Sequence, residues 1–165
     1  MKRITLQLNL TEFLKTGTFG FINLGLTKAE LESQLFPPED WMERTKAHDK
    51  DNTPIWRYGN FELHFDEKQQ VRCIFNDYVP HLDGGESIQI TDWWIIEPEV
   101  NSPTVLQALK SLNTLNLDFE KVTGQFDNVT FRLQSGVRLI FHPPEELSPK
   151  DVNQYTLTAI TKSAD

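Results

Sequence analysis

The residue types best suited to chemistry in this chain are four histidines, one cysteine and a set of scattered carboxylates. His48, His64, His81 and His142 stand far apart, and no two share the His-x-His or His-x-x-x-His spacing that brings two imidazoles to one side of a strand or helix. A metal site would therefore have to be assembled from distant segments. The densest group of possible ligands is His81 with Asp83 and Glu86 in the run His-Leu-Asp-Gly-Gly-Glu. Its carboxylates suit a hard cation, but the spacing is not that of a calcium loop, and a solvated turn is the simpler reading. Asp92, just before Trp93 and Trp94, is placed for a carboxyl with a raised pKa. Acid–base work would need a second group beside it. Cys73 alternates with Val71 and Phe75 and is expected on the apolar side of a strand, as a small core residue rather than an exposed thiolate. No nucleophile elbow, phosphate-cradling loop or dinucleotide fingerprint is present. These readings lead to no catalytic residue, no bound metal and no cofactor, and to a chain that is not an enzyme.

Composition narrows the partners. Sixteen Lys and Arg stand against 24 Asp and Glu, a formal charge of -8, and the acidic residues are spread along the 165-residue chain. Such a surface repels nucleic-acid phosphates. It is compatible with a basic protein partner. A single cysteine excludes an internal disulfide. The N-terminal residues alternate polar and apolar, without the run of about seven apolar residues of a signal peptide. No segment has the about 20 apolar residues of a membrane-spanning helix. The expected location is the cytoplasm, with neither nucleic acid nor membrane as partner.

These residues must be positioned by a small α+β domain. Residues 3–10 alternate as a strand, and 11–15 make a helical turn before Gly17. Thr27-Lys-Ala-Glu forms a capping box opening a helix to Phe36, which Pro37 and Pro38 stop. Residues 39–53 are polar and read as a mobile loop. Strands follow at 55–58, 61–65, 71–75 and 88–97, with a hairpin turn at Gly59-Asn60. Ser102 before Pro103 caps a helix through Leu112, and strands at 129–133, 137–141 and 155–160 complete the chain.

The second half resembles the first. Tyr-Gly-Asn-Phe-Glu-Leu-His-Phe (58–65) parallels Phe-Asp-Asn-Val-Thr-Phe-Arg-Leu (126–133), and Val-Arg-Cys-Ile-Phe (71–75) parallels Val-Arg-Leu-Ile-Phe (137–141). Each pair follows a helix. The expectation is one domain over 1–165, made of two pseudo-repeats of about 20–97 and 98–165, each a helix plus an antiparallel β-meander, with the helices packed on one face of the joint sheet.

Alternation then divides the sheet. Phe61, Leu63, Phe65, Val71, Cys73, Phe75, Val129, Phe131, Leu133, Val137, Leu139 and Phe141 should lie under the helices. Glu62, His64, Ile74, Arg132 and Ile140 should lie on the other face. In strand 88–97, Trp94 falls with Ile88, Ile90 and Ile96, as core, whereas Trp93 and Ile95 fall on the accessible side. A face mixing one Trp, several Ile and charges of both signs has the composition of a protein-binding patch. The partner-binding set is therefore Trp93, Ile95, His64, Glu62, Ile74, Arg132 and Ile140, with Asp83 and Glu86 from the acidic loop. The opposing possibility is that the N-terminal strand or residues 39–53 cover this face.

Gly25-Leu-Thr-Lys-Ala-Glu-Leu-Glu-Ser-Gln-Leu, the prolines after it and Trp56-Arg-Tyr-Gly resemble the helix-then-sheet unit of the β-lactamase-inhibitor-protein-like fold; small acidic bacterial immunity proteins use similar α+β sheets. The family pattern has Gly before the proline where this chain has Phe36. The resemblance implies an inhibitor or immunity protein that binds a basic toxin or enzyme. The alternative function is a small-ligand-binding protein or enzyme that uses Trp93, Trp94 and the His81 loop.

Overall fold

The computed structural model describes residues 3–42, 49–144 and 151–164, and they form an α+β architecture. In chain order the elements are β1 (Leu6–Asn9), α1 (Leu10–Thr16), α2 (Lys28–Gln34), β2 (Asp40–Trp41), β3 (Ile55–Tyr58), β4 (Phe61–Phe65), β5 (Val71–Asn76), β6 (Ile88–Asp92), α3 (Val105–Thr114), β7 (Phe119–Thr123), β8 (Val129–Leu133), β9 (Val137–His142) and β10 (Thr156–Ser163). Eight strands make one antiparallel sheet in the order β2-β3-β4-β5-β10-β9-β8-β7; β1 and β6 form a separate parallel pair.

Local chemistry sets the helix ends. Asn9 caps α1 by accepting from the Glu12 N–H, and Gly17 ends it with φ of 71°. A side chain at Gly17 would strain that left-handed conformation and collide with the Ser135 carbonyl. The Thr27–Glu30 capping box of α2 is complete in both directions. A second box, Thr104 with Gln107, opens α3 two residues later than the Ser102 cap expected from sequence. Each helix turns a short apolar stripe to the sheet, Leu31 from α2 and Val105, Ala108 and Leu112 from α3, all buried.

Register carries the buried face without a break across the sheet. Leu63 lies opposite Ile74, Ile74 opposite Lys162, and Lys162 opposite Val137. Ile160 lies opposite both Asn76 and Leu139, and Leu139 opposite Phe131. Directly opposed residues point to the same side, so both halves bury the same face. Aromatic rings fill it: Phe13, Phe19 and Phe61 form one chain at 5.2–5.3 Å, and Phe119, Phe131 and Phe141 form another at 4.8–4.9 Å.

Lys28, on the first turn of α2, is buried with this core. Its ammonium donates to the carbonyls of Thr53 (2.6 Å) and Asp51 (2.9 Å) and lies 4.8 Å from the Phe65 ring centre and 5.2 Å from that of Trp56. Burial lowers its pKa, against the opposing pull of the Asp51 and Glu32 carboxylates. Trp56 Nε1 donates to the Lys50 carbonyl at 2.6 Å, so residues 50–53 are tied down on the helix side of the sheet.

Three sequence expectations are corrected here. First, His64 opposes Cys73 but Phe65 opposes Val71, which leaves Arg72 as an extra residue in β5. This bulge reverses the alternation beyond it. Ile74 is therefore buried in the core, whereas Cys73 and Phe75 lie on the open face with Glu62 and His64. Second, the strand expected over 88–97 stops at Asp92 and pairs with β1, outside the main sheet. Third, the two meanders are not superposable copies. β5 and β9 run the same way on either side of β10, yet β3-β4-β5 approaches it from one edge and β7-β8-β9 from the other. With direction and buried face shared and order reversed, the two are mirror-related, and no rotation brings one onto the other. The matched motifs even face oppositely: Ile74 is buried, whereas its counterpart Ile140 is half-exposed. β7, at one sheet edge, was not anticipated from the sequence at all.

The bulge has a measurable consequence. Ile74→Ala should cost about 2–5 kcal/mol, the range for truncating a buried aliphatic side chain, whereas Ile140→Ala should stay near or below about 1 kcal/mol. Denaturant titration of the two variants checks this, and equal losses would put Ile74 back on the open face.

Candidate functional site

The helix-free side of the eight-stranded sheet is the broadest surface on which the sequence-predicted residues meet. β3 and β4 contribute Ile55, Arg57, Glu62 and His64; β5 adds Cys73 and Phe75; β8 and β9 add Thr130, Arg132, Arg138 and Ile140. Thr161 and Ala159 of β10 form a flat buried strip between the halves. Among the described residues neither proposed cover lies here: β1 buries Leu6 and Leu8 in the core, and residues 49–53 sit on the helix side. Residues 43–48, the rest of the expected loop together with His48, lie outside the described residues.

The face has a polar end. Glu62 accepts from Arg57 Nε at 3.0 Å and meets His64 Nε2 at 2.8 Å, so both its oxygens are engaged. The His64 ring lies against Phe75, centroids 6.0 Å apart. His64 and Cys73 are cross-strand neighbours, an arrangement that invites comparison with a thiol–imidazole pair. The sulfur, however, contacts Thr161 Oγ1 at 3.4 Å and the Ile74 carbonyl at 3.7 Å, and the imidazole is held by Glu62. An activated nucleophile needs its base within hydrogen-bond reach, and here the sulfur's partners are a hydroxyl and a carbonyl. On the other half of the face, His142 Nδ1 is 2.6 Å from Thr158 Oγ1 at the β10 bulge.

The remaining predicted residues are elsewhere. Asp83 and Glu86 belong to a loop fastened to the β3–β4 turn: Asn60 N–H donates to the Asp83 carbonyl (2.9 Å), and Asp83 N–H to Asn60 Oδ1 (2.9 Å). Glu39, unnoticed in the sequence, secures the same corner by accepting from the Gly59 N–H (2.8 Å) and the Glu86 N–H (2.6 Å). Gly59 there has φ of 58°, and a side chain would meet the Asp83 carbonyl. Among the described residues no group of three His, Cys, Asp or Glu side chains converges as a metal site. Asp92 is occupied structurally, accepting from the Thr11 N–H (3.1 Å) and hydroxyl at the start of α1.

The tryptophans are corrected as well. Trp93, Trp94 and Ile95 follow the end of β6, so strand alternation does not govern them, and all three are half-buried. Trp93 lines a cleft of about 520 Å³ with His81, Asp83 and Pro98. Trp94, expected in the core, instead lines a separate open cleft of about 560 Å³ with Ile95 and the outer side of α3. The pair therefore serves two clefts, and neither indole belongs to the open sheet face.

In comparisons with known proteins, no protein-family model, curated protein or solved structure matches the chain.

The Glu39 clasp should be separable from the sheet face. Glu39→Ala removes the shared acceptor of two backbone N–H groups at exposed positions, where each hydrogen bond is worth about 0.5–1.5 kcal/mol net. Amide exchange should quicken at Gly59 and Glu86 while amides of β8 and β9 keep their protection. Uniform loss of protection would show instead that the corner supports the whole fold.

Proposed function

We propose that this chain is a non-enzymatic protein-binding module of the bacterial immunity or inhibitor type, acting in the cytoplasm and engaging its partner through the open face of the sheet. The observation that carries the reading is the composition of that face once the β5 bulge is taken into account. Phe75, Ile140 and Cys73 flank the flat strip of Thr161 and Ala159, and Arg132, Arg138, Arg57, Glu62 and His64 surround them. An apolar centre with an arginine-bearing polar rim is how binding surfaces are built. Phe75 takes the place that the sequence reading gave to Ile74. Glu62, His64, Arg132 and Ile140 remain in the set; Asp83 and Glu86 are left to a separate loop that would steer rather than dock.

The charge of -8 favours a basic partner, since complementary fields raise association rates and suppress wrong encounters. The geometry of Cys73, whose sulfur faces Thr161 rather than His64, supports the non-enzymatic part of the proposal.

Capture from the native host, with one substitution on the face and one off it, tests the reading. Ile140→Asp puts a charge at the centre of the open face; Leu106→Asp puts one on the exposed side of α3. Both variants should melt close to the wild type. A host protein retained by the wild type and by Leu106→Asp, but lost with Ile140→Asp, is the expected result. Retention by all three chains would remove the sheet face as the interface.

A further inference from the structure

The cleft beside Trp94 has features that the sheet-face proposal does not use. Trp94 has φ of 55°, the left-handed region that bulky side chains avoid. Such a conformation is strained and persists only where the surroundings enforce it, typically at ligand clamps and other functional sites. Here the indole N–H is fixed by a 2.7 Å bond to Ser111 Oγ on α3. That bond settles what the indole offers to the cleft: its donor is spent, and its apolar ring remains.

The polar groups around the ring come mostly from one helix. Gln107, Lys110, Ser111 and Thr114 recur along α3 at spacings of three and four, so they share one side of the helix. The Gln107 carboxamide oxygen is taken by the Thr104 N–H in the capping box, which leaves its NH₂ as donor. Ser111 accepts from Trp94 and keeps its own proton to give. Lys110 is an exposed ammonium. Thr114 gives its own proton to the Lys110 carbonyl at 2.9 Å and offers only an acceptor, so the free donors of the helix wall are those of Gln107, Lys110 and Ser111, with the positive charge on Lys110. Glu97, on the turn after Trp94, also lines the cleft and brings it an acceptor and a negative charge. Among the described residues neither Lys110 nor Glu97 is in an ion pair, with each other or with anything else. Trp94, Ile95 and Leu115 give the cleft its apolar lining.

We infer that this cleft binds a small zwitterion with an apolar body, a free amino acid or short peptide whose carboxylate meets Lys110 and Gln107, whose ammonium meets Glu97, and whose side chain lies on the Trp94 ring. The opposed charges select a ligand carrying both signs; a simple anion would meet Glu97 and a simple cation would meet Lys110. The volume of about 560 Å³ lies within the range of small-molecule sites. The site is independent of the open sheet face, so either can fail without the other.

Isothermal titration of the full chain with the dipeptide phenylalanyl-leucine, beside its N-acetylated amide, tests the inference. Saturable one-site binding of the free dipeptide is expected. Capping both termini, or making Lys110→Met or Glu97→Gln, should each weaken binding at least about tenfold, as loss of a charged hydrogen-bond partner does. Both substitutions are at exposed positions, and an unchanged melting temperature confirms that the fold is kept. Absence of saturable binding by the wild type overturns the proposal. So does equal affinity for the capped peptide, or affinity untouched by both substitutions.

Discussion

Everything in the main sheet depends on the last strand. β10 receives β5 on one edge and β9 on the other, and among the described residues no other strand connects the two halves. A strand pair or short meander is marginal in water by itself, because it must cover one face and satisfy its edges. β10 removes both open inner edges at once, and its own side chains continue the core with Leu157 and Ile160. Lys162, on the same side, reaches across to the Gly17 carbonyl at 2.8 Å, so the strand also fastens the end of α1. These contacts lie far apart in sequence. The sheet is assembled by long-range closure rather than by local hairpins alone.

The second constraint is one-sidedness. Three helices and the β1–β6 pair serve a single face, and the aromatic chains fill the space beneath them. The polar devices serve the same side or its margins. Lys28 draws residues 50–53 over Trp56 with backbone carbonyls as acceptors, Asp92 holds the start of α1, and Glu39 closes the corner between the β3–β4 turn and the acidic loop. A buried ammonium is tolerable only when such acceptors meet it. The opposite face is left with cross-strand pairs such as Arg57–Glu62 and with half-exposed Phe75 and Ile140. This division of labour, rather than any single reactive residue, is why recognition rather than chemistry is the proposed role for that face.

The two proposed sites have different origins in the fold. The open face follows from strand alternation corrected by one bulge. The Trp94 cleft follows from the end of strand pairing at Asp92, after which the chain turns back along α3 with a strained tryptophan held by Ser111. One is spread over several strands; the other is an open cleft that Lys110 and Glu97 both line.

Periodicity and local signals in the sequence determined the element types: the Thr27–Glu30 box, the Gly59 turn, and the alternation of 61–65, 129–133 and 137–141 all have the roles their patterns require. These are short-range effects, set by side chains within about four residues of one another. The placement of Glu62, His64, Arg132 and Ile140 on one face was legible for the same reason. Tertiary structure alone decided the rest. Whether Val-Arg-Cys-Ile-Phe buries its Ile depends on an extra residue accommodated against β4, and no property of those five residues differs enough from Val-Arg-Leu-Ile-Phe to announce it. The internal likeness pointed to repetition, but strand order around β10 makes the halves mirror-related, because amphipathic strands of either hand have the same pattern. The positions of Trp93 and Trp94 likewise depended on where β6 lost its partner. A period of two specifies a face only while pairing continues, and pairing is a property of the neighbouring strand.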